Sequence, residues 1–127
     1  MAYLYVAMGG AFGAMARFFV VSFMTRALGG GFPYGTLVVN TAGSFVLVFL
    51  MTMISERAVV DPQFRWLVVV GFLGSFTTFS SFTYETYYLF AHEEYIKGLL
   101  NVVLNNLLAF AGGVLGLLLA RTMIQGA

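Results

Sequence analysis

The sequence predicts an all-α membrane protein of four transmembrane helices, the third broken near mid-membrane, and three observations predict it. Composition is the first: 61% of residues are hydrophobic and 9% are charged, where soluble domains carry about 25% charged residues. Mean hydropathy is +0.93. A soluble chain of 127 residues has too little interior to hide so much apolar surface, so its solvent is lipid. The second observation is spacing, because the apolar residues fall into runs near the roughly 20 residues that cross a bilayer. The third is residues 71–86, GFLGSFTTFSSFTYET, which put Thr77-Thr78-Phe79-Ser80-Ser81 where a spanning helix carries Leu, Ile and Val. Irregular or polar backbone at membrane depth is tolerated only where protein or a water-filled path surrounds it. Transporters put ion sites at such breaks, since freed carbonyls and half-helix ends face an ion there.

The whole chain is one domain. Its first span runs from about Tyr3 to Met24, the second from about Tyr34 to Ile54, the third from about Arg65 to Phe90 and the fourth from about Gly98 to Met123, each end free to shift by about four residues. The first opens on MAYLYVAMGGAFGAMARFF. It has no Lys or Arg ahead of its apolar stretch and no clear A-x-A exit, the reading of a retained span rather than a cleaved signal peptide. Gly29-Gly30-Gly31 and Pro33 then forbid helix continuation. Asp61-Pro62 reads as an N-cap followed by proline at the first helical position, opening the third helix. His92, Glu93 and Glu94 close that helix in water; His92, the only histidine, reads as a solvated loop residue without a metal or catalytic partner.

Charge excludes several classes. Net charge is +1, with no basic block for nucleic acid. Cysteine is absent, so disulfides, thiolate nucleophiles and Cys-based metal sites are excluded. No nucleophile–base pair or metal cluster suggests an enzyme. An even number of spans puts both termini and the second connection on one side of the membrane. That side carries Arg57, Arg65 and Arg121, the other Arg26 and Lys97. Three against two is almost no bias of the kind that orients membrane proteins. Two copies inserted in opposite directions can then pair about a two-fold axis in the membrane plane, as an antiparallel, dual-topology homodimer. Gly9 with Gly13, Gly10 with Ala14 and Gly112 with Gly116 have small-xxx-small spacing. For any single pair the spacing leaves open whether it packs helices within a protomer or between two; for the set, some contact between protomers is expected.

Several polar residues need a reason to be in lipid. Asn40 lies about a turn and a half into the second span, and an unpartnered amide there costs several kcal/mol, so it faces protein or a pore. Asn101 and Asn105, four apart, share a face of the fourth helix; Asn106 points about 100° away from Asn105. Taken singly, each asparagine reads more readily as a bridge between helices, worth about 0.6–2 kcal/mol. Taken with the break, they trace a polar track. Phe76, Phe79 and Phe82 repeat every three residues through the break. Core packing is the usual reading of such a stripe. The alternative is an anion path, because an aromatic ring edge is electropositive. Arg17, well inside the first span, faces an aqueous vestibule or snorkels, where it would concentrate anions. For Glu85, a structural or snorkelling role competes with gating or proton coupling.

The stretches GGAFGAMARFF, FPYGTLVVNTAGSF and GFLGSFTTFSSFTYET resemble those of the small bacterial fluoride channels, the Fluc or CrcB family. The third is the most specific, since GFxGxxTTFSxF is rare elsewhere, and with length and span count the resemblance covers essentially the whole chain. It implies passive, fluoride-selective export through an antiparallel homodimer with two pores in the bacterial plasma membrane. Asn40 matches the family's pore asparagine that contacts fluoride, and Phe79 and Phe82 the phenylalanines whose edges line the pores. Gly74 and Thr77 match break residues whose backbone carbonyls, from both subunits, hold a central structural Na⁺. Arg17 matches the vestibule arginine. Asn105 and, less directly, Asn101 fall where the family has polar fourth-helix residues along the track. Ser75 stands where glycine is common, a departure of little weight if the sodium ligands are carbonyls. Donors such as Asn40, Ser80 and Thr83, with the aromatic edges, would replace fluoride's hydration without holding the ion too tightly. A small dual-topology drug/proton antiporter also fits the size and charge balance, but that class relies on a first-span carboxylate, where this chain has Arg17 and no acid. A structural subunit of a membrane complex is a third reading, with Asn40 and the Phe stripe as packing only.

Overall fold

In hydrocarbon a chain must satisfy its own backbone N–H and C=O groups, which a helix does within one segment. The computed structural model describes residues 1–57 and 60–126. These form helices joined by short connections, with no strand among the described residues. Residues 58 and 59, in the expected second connection, lie outside them. Four helical spans are long and apolar enough to cross a membrane: Ala2–Leu28, Tyr34–Glu56, Pro62–Ala91 and Tyr95–Gln125. Their ends fall within about four residues of the sequence expectation.

The third span departs most from a plain helix. It opens as expected, with Asp61 Oδ1 accepting the Gln63 N–H at 2.9 Å and Pro62 in the first turn. Arg65–Leu73 then wind as a π-helix, a wider form with i→i+5 bonding that periodicity does not reveal. Gly74–Phe76 return to α geometry. The break itself is two extended residues, Thr77 at ψ 156° and Thr78 at φ −152°, ψ 124°. Helix restarts at Phe79 and runs to Ala91, so Phe79, Ser80 and Ser81 are helical and the interruption is shorter than the five-residue polar run. Thr78 caps the distal half, its Oγ1 accepting the Ser81 N–H at 3.1 Å. The distal half ends in a reversal in which Glu93, at φ 62°, lets the Glu94 N–H reach the Leu89 carbonyl at 2.9 Å.

Helix contacts answer the question the glycine spacing left open. The first helix lies against the π-helical segment, and the second against the fourth. A Cβ on Gly9 would fall on the Leu67 carbonyl oxygen, and one on Gly13 on that of Phe72. Gly112 and Gly116 meet the Thr41 and Phe45 carbonyls in the same way. Both pairs therefore serve packing inside the chain. The interior is small, and its buried polar residues (Thr36, Thr52, Thr78, Thr86, Asn101 and Asn105) match its apolar core (Val39, Val69, Leu73, Phe82, Leu89 and Ala120) in number. Large apolar side chains such as Phe12, Phe18, Phe19 and Phe23 point outward, as a lipid solvent favours.

The two ends of the bundle match the even span count. At one end Arg57 Nη1 donates to the Met123 and Ile124 carbonyls at 3.2 and 3.4 Å, capping the fourth helix. Arg121 pairs with Glu56 at 3.5 Å, and the Tyr5 hydroxyl donates to Gln63 Oε1 at 2.9 Å. Both termini and the second connection thus share that end. At the other end Lys97 pairs with Glu94 at 3.0 Å.

Candidate functional site

A helix broken at mid-span must find partners for the groups the break exposes. Asn40, on the second helix, supplies them. Its Oδ1 accepts the Thr78 N–H at 2.8 Å, and its Nδ2 donates to the Thr78 carbonyl at 3.0 Å. One side-chain amide thus pairs with both backbone groups of Thr78, much as a neighbouring strand would. Gly43, one turn further along the second helix, makes room for the break: a Cβ there would collide with the Thr77 methyl.

None of the four carbonyls from Gly74 to Thr77 receives its helical backbone donor, and two of those donors are diverted. The Thr78 N–H, which a continuous helix would send to the Gly74 carbonyl, goes to Asn40. The Ser81 N–H, which would reach the Thr77 carbonyl, goes to the Thr78 hydroxyl. Thr77 meanwhile donates both its N–H and its hydroxyl to the Leu73 carbonyl, each at 3.1 Å.

Beside the break is an open cleft of about 340 Å³. Among its lining residues are Asn40, Gly74, Thr77, Phe79, Phe82 and Asn105, so six of the sequence-selected residues meet there. Phe82 is buried and Phe79 is 76% exposed at the rim, their ring centroids 5.4 Å apart and tilted by 58°. Phe76 is separated from them by the break and stacks on Phe72 at 5.8 Å, so the stripe of three divides. The distal half-helix begins at this cleft, presenting the positive end of its dipole. Side-chain amides, the Phe79 and Phe82 rings and a helix N-terminus border one concave surface, and the N-terminus is the end of a helix that favours an anion.

Four of the selected residues lie elsewhere. Asn101 is fully buried, at 0% exposure, and does not line the cleft. Ser80 and Thr83 are exposed; Thr83 gives its hydroxyl to the Phe79 carbonyl at 3.0 Å, and Ser80 Oγ is 3.4 Å from Thr78 Oγ1. Arg17 is half-buried on the first helix, away from the cleft. Asn106, exposed, lines the cleft and donates to the Val102 carbonyl at 2.7 Å. Sequence reasoning missed Gly43 and Ser44, although their spacing of three and four from Asn40 puts them on its helix face. It also missed the role of the Thr78 backbone, which no side-chain pattern encodes. Toward the connection between the first two helices, a second cavity of about 290 Å³ holds Thr36 and Glu85. The Thr36 hydroxyl donates to Glu85 Oε1 at 2.7 Å, while the buried Oε2 has no partner among the described residues.

The family profile described as CrcB-like protein, Camphor Resistance (CrcB), matches residues 4–117. A protein of Sulfurihydrogenibium sp. named fluoride-specific ion channel FluC is 43% identical over 121 residues, covering 95% of this chain and 98% of that one. Proteins of the same name from Koribacter versatilis and Legionella pneumophila (strain Paris) are 44% and 40% identical. They cover 90% and 98% of this chain, and 90% and 92% of their own length. With the profile spanning nearly the whole bundle and full-length relatives at these identities, the chain belongs to the CrcB family and is a multi-pass bacterial membrane protein.

Proposed function

We propose that this protein is a passive fluoride-selective channel that exports cytoplasmic F⁻. The observation that carries the proposal is the cleft at the broken span, where Asn40, the N-terminus of the distal half-helix and the Phe79–Phe82 pair face one volume. The relatives' name points to the same ion. A small anion gives up a large hydration energy in a low-dielectric path. Amide N–H groups and ring edges replace part of it, while the narrow aromatic wall disfavours larger, softer anions. HF crosses bilayers as a neutral acid and dissociates inside, so a passive path for F⁻ down the membrane potential relieves its accumulation. The first helix carries Arg17 and no acid, which speaks against a proton-coupled exporter.

The working unit in this proposal is an antiparallel homodimer with two pores. Phe79 and Phe110, at 76% and 75% exposure on the cleft's rim, leave the path unwalled in a single protomer, and a second copy would close it. The Gly74 and Thr77 carbonyls, deprived of helical donors, suit a hard cation. Four of them, two from each protomer across a two-fold axis, would hold a structural Na⁺ that is not transported. Replacing sodium throughout by a bulky organic cation is expected to lower dimer content and flux together; both unchanged would remove the ion.

Proteoliposomes containing only this protein are expected to release fluoride far faster than chloride, with no proton gradient or nucleotide. A single cysteine added at the C-terminus of this cysteine-free chain should be labelled from outside in about half the molecules. Equal chloride efflux, or absolute dependence on a proton gradient, would remove the channel reading. Full activity in a population of one orientation would remove the antiparallel dimer.

A further inference from the structure

Thr86 and Asn101 touch no part of the cleft, yet they end a chain of hydrogen bonds that begins at the break. The Thr78 N–H donates to Asn40 Oδ1 at 2.8 Å, and Asn40 Nδ2 donates to Asn105 Oδ1 at 3.0 Å. Asn105 Nδ2 donates to Asn101 Oδ1 at 2.8 Å, and Asn101 Nδ2 to Thr86 Oγ1 at 2.9 Å. The Thr86 hydroxyl donates to the Phe82 carbonyl at 2.8 Å. The chain thus starts on the backbone of the break, finishes on that of the distal half-helix and passes through three side-chain amides on two other helices.

Its direction is not a matter of choice. A backbone N–H only donates and a carbonyl only accepts, so both ends are fixed. A side-chain amide presents an acceptor on one side and donors on the other. Turning Asn40 or Asn105 would set donor against donor at one junction and acceptor against acceptor at the next; turning Asn101 would set donor against donor at Asn105 and draw the Thr86 hydroxyl away from the Phe82 carbonyl. Beyond Asn40, which is half-buried at the cleft, the links are buried, Asn101 at 0%, Asn105 at 5% and Thr86 at 9% exposure, so there water does not compete and each bond polarises its neighbours.

We propose that Thr86 and Asn101 are positioning residues of the anion site. They hold Asn105 with its oxygen toward Asn40, and so keep an Asn40 N–H aimed along the wall of the cleft. In the wild type that N–H is held by the Asn105 oxygen. An anion arriving in the cleft takes over as acceptor on a donor already oriented, with no amide turning. As far as the anion is concerned, this rests on the channel reading above; the orienting chain itself does not. The competing possibility is that order stops at Asn105, since Asn105 Nδ2 also reaches the Asn101 backbone carbonyl at 3.2 Å.

The side-chain amide signals of the protein labelled with ¹⁵N-asparagine, in lipid nanodiscs, distinguish the two. The chain has Asn40, Asn101, Asn105 and Asn106, and Asn106, bonded to its own helix, is an internal reference. Thr86→Val removes the hydroxyl at nearly constant shape and is expected to move the Asn101, Asn105 and Asn40 signals but not that of Asn106. Thr86→Ser is expected to restore them. In proteoliposomes Thr86→Val is expected to lower fluoride flux about five- to tenfold, the scale of one lost hydrogen bond, with Thr86→Ser near wild type. If Thr86→Val does not fold, Thr86→Cys, a weak donor and acceptor, should give the same pattern at smaller amplitude. Movement confined to Asn101, or equal flux loss in the Ser and Val variants, would overturn the proposal. A wild type that passes no fluoride would remove the channel reading and the anion part with it, while the amide signals still decide the orienting chain.

Discussion

Asn40→Leu is expected to abolish fluoride flux and to destabilise the protein by about 3 kcal/mol or more. The side chain makes three hydrogen bonds, to the Thr78 N–H, the Thr78 carbonyl and Asn105 Oδ1. Thr78 is buried, and a buried polar group stripped of its partner costs about 1–3 kcal/mol. One escape exists: the Thr78 N–H can return to the Gly74 carbonyl, which would heal the break into continuous helix. That repair saves a bond and destroys the cleft. Asn40→Asp separates the contributions, since a carboxylate still accepts from the Thr78 N–H but donates to neither of the other two groups. Flux from proteoliposomes and the midpoint of thermal unfolding check this. Wild-type flux together with an unchanged midpoint in Asn40→Leu would sink the idea that this amide holds the break open.

Gly9→Ala and Gly13→Ala are expected to cost about 1–3 kcal/mol each or more, the usual range for overpacking, with loss of folded protein. Each added methyl would land on a backbone carbonyl of the π-helical segment, at Leu67 and Phe72 respectively. Backbone cannot swing aside as a side chain tip does, so the first helix must back away from the third along their whole contact. Gly10→Ala is the control. Its Cβ would meet Ser75 Oγ at 3.2 Å, the movable end of a short side chain. Its cost should be small, offset by the better helix propensity of alanine, about 1 kcal/mol over glycine. Equal unfolding midpoints for the three variants in the same detergent would contradict the close backbone contact.

The polar residues illustrate how much of the site could be read in advance. Asn40, Phe79, Phe82 and Asn105 stand out in the sequence as polar or aromatic at membrane depth, Gly74 and Thr77 as site residues only through the family resemblance, and all six line one cleft. Asn101 passed the same tests and lies outside it, bonded to Thr86. The difference is one helical turn on the fourth helix, and its consequence depends on what the neighbouring helix puts opposite. Gly43 carries no chemistry of its own and so gave no signal, although the break needs the space it leaves.

Hydropathy and length were enough for four helices, their order and the shared end of the two termini. Those features follow from local, additive physics: apolar side chains partition into lipid, and the helix satisfies its own backbone. That a break would occur in the third span was also legible, because its polar run is a local cost. Which backbone groups the break exposes, and what receives them, was not. The pairing of Asn40 with Thr78, the π-helical turns of Arg65–Leu73 against Gly9 and Gly13, and the chain from Thr78 to Phe82 join residues far apart in sequence. Hydrogen bonds are directional and short-ranged, so they are settled only when the helices have packed and each donor has an acceptor in reach.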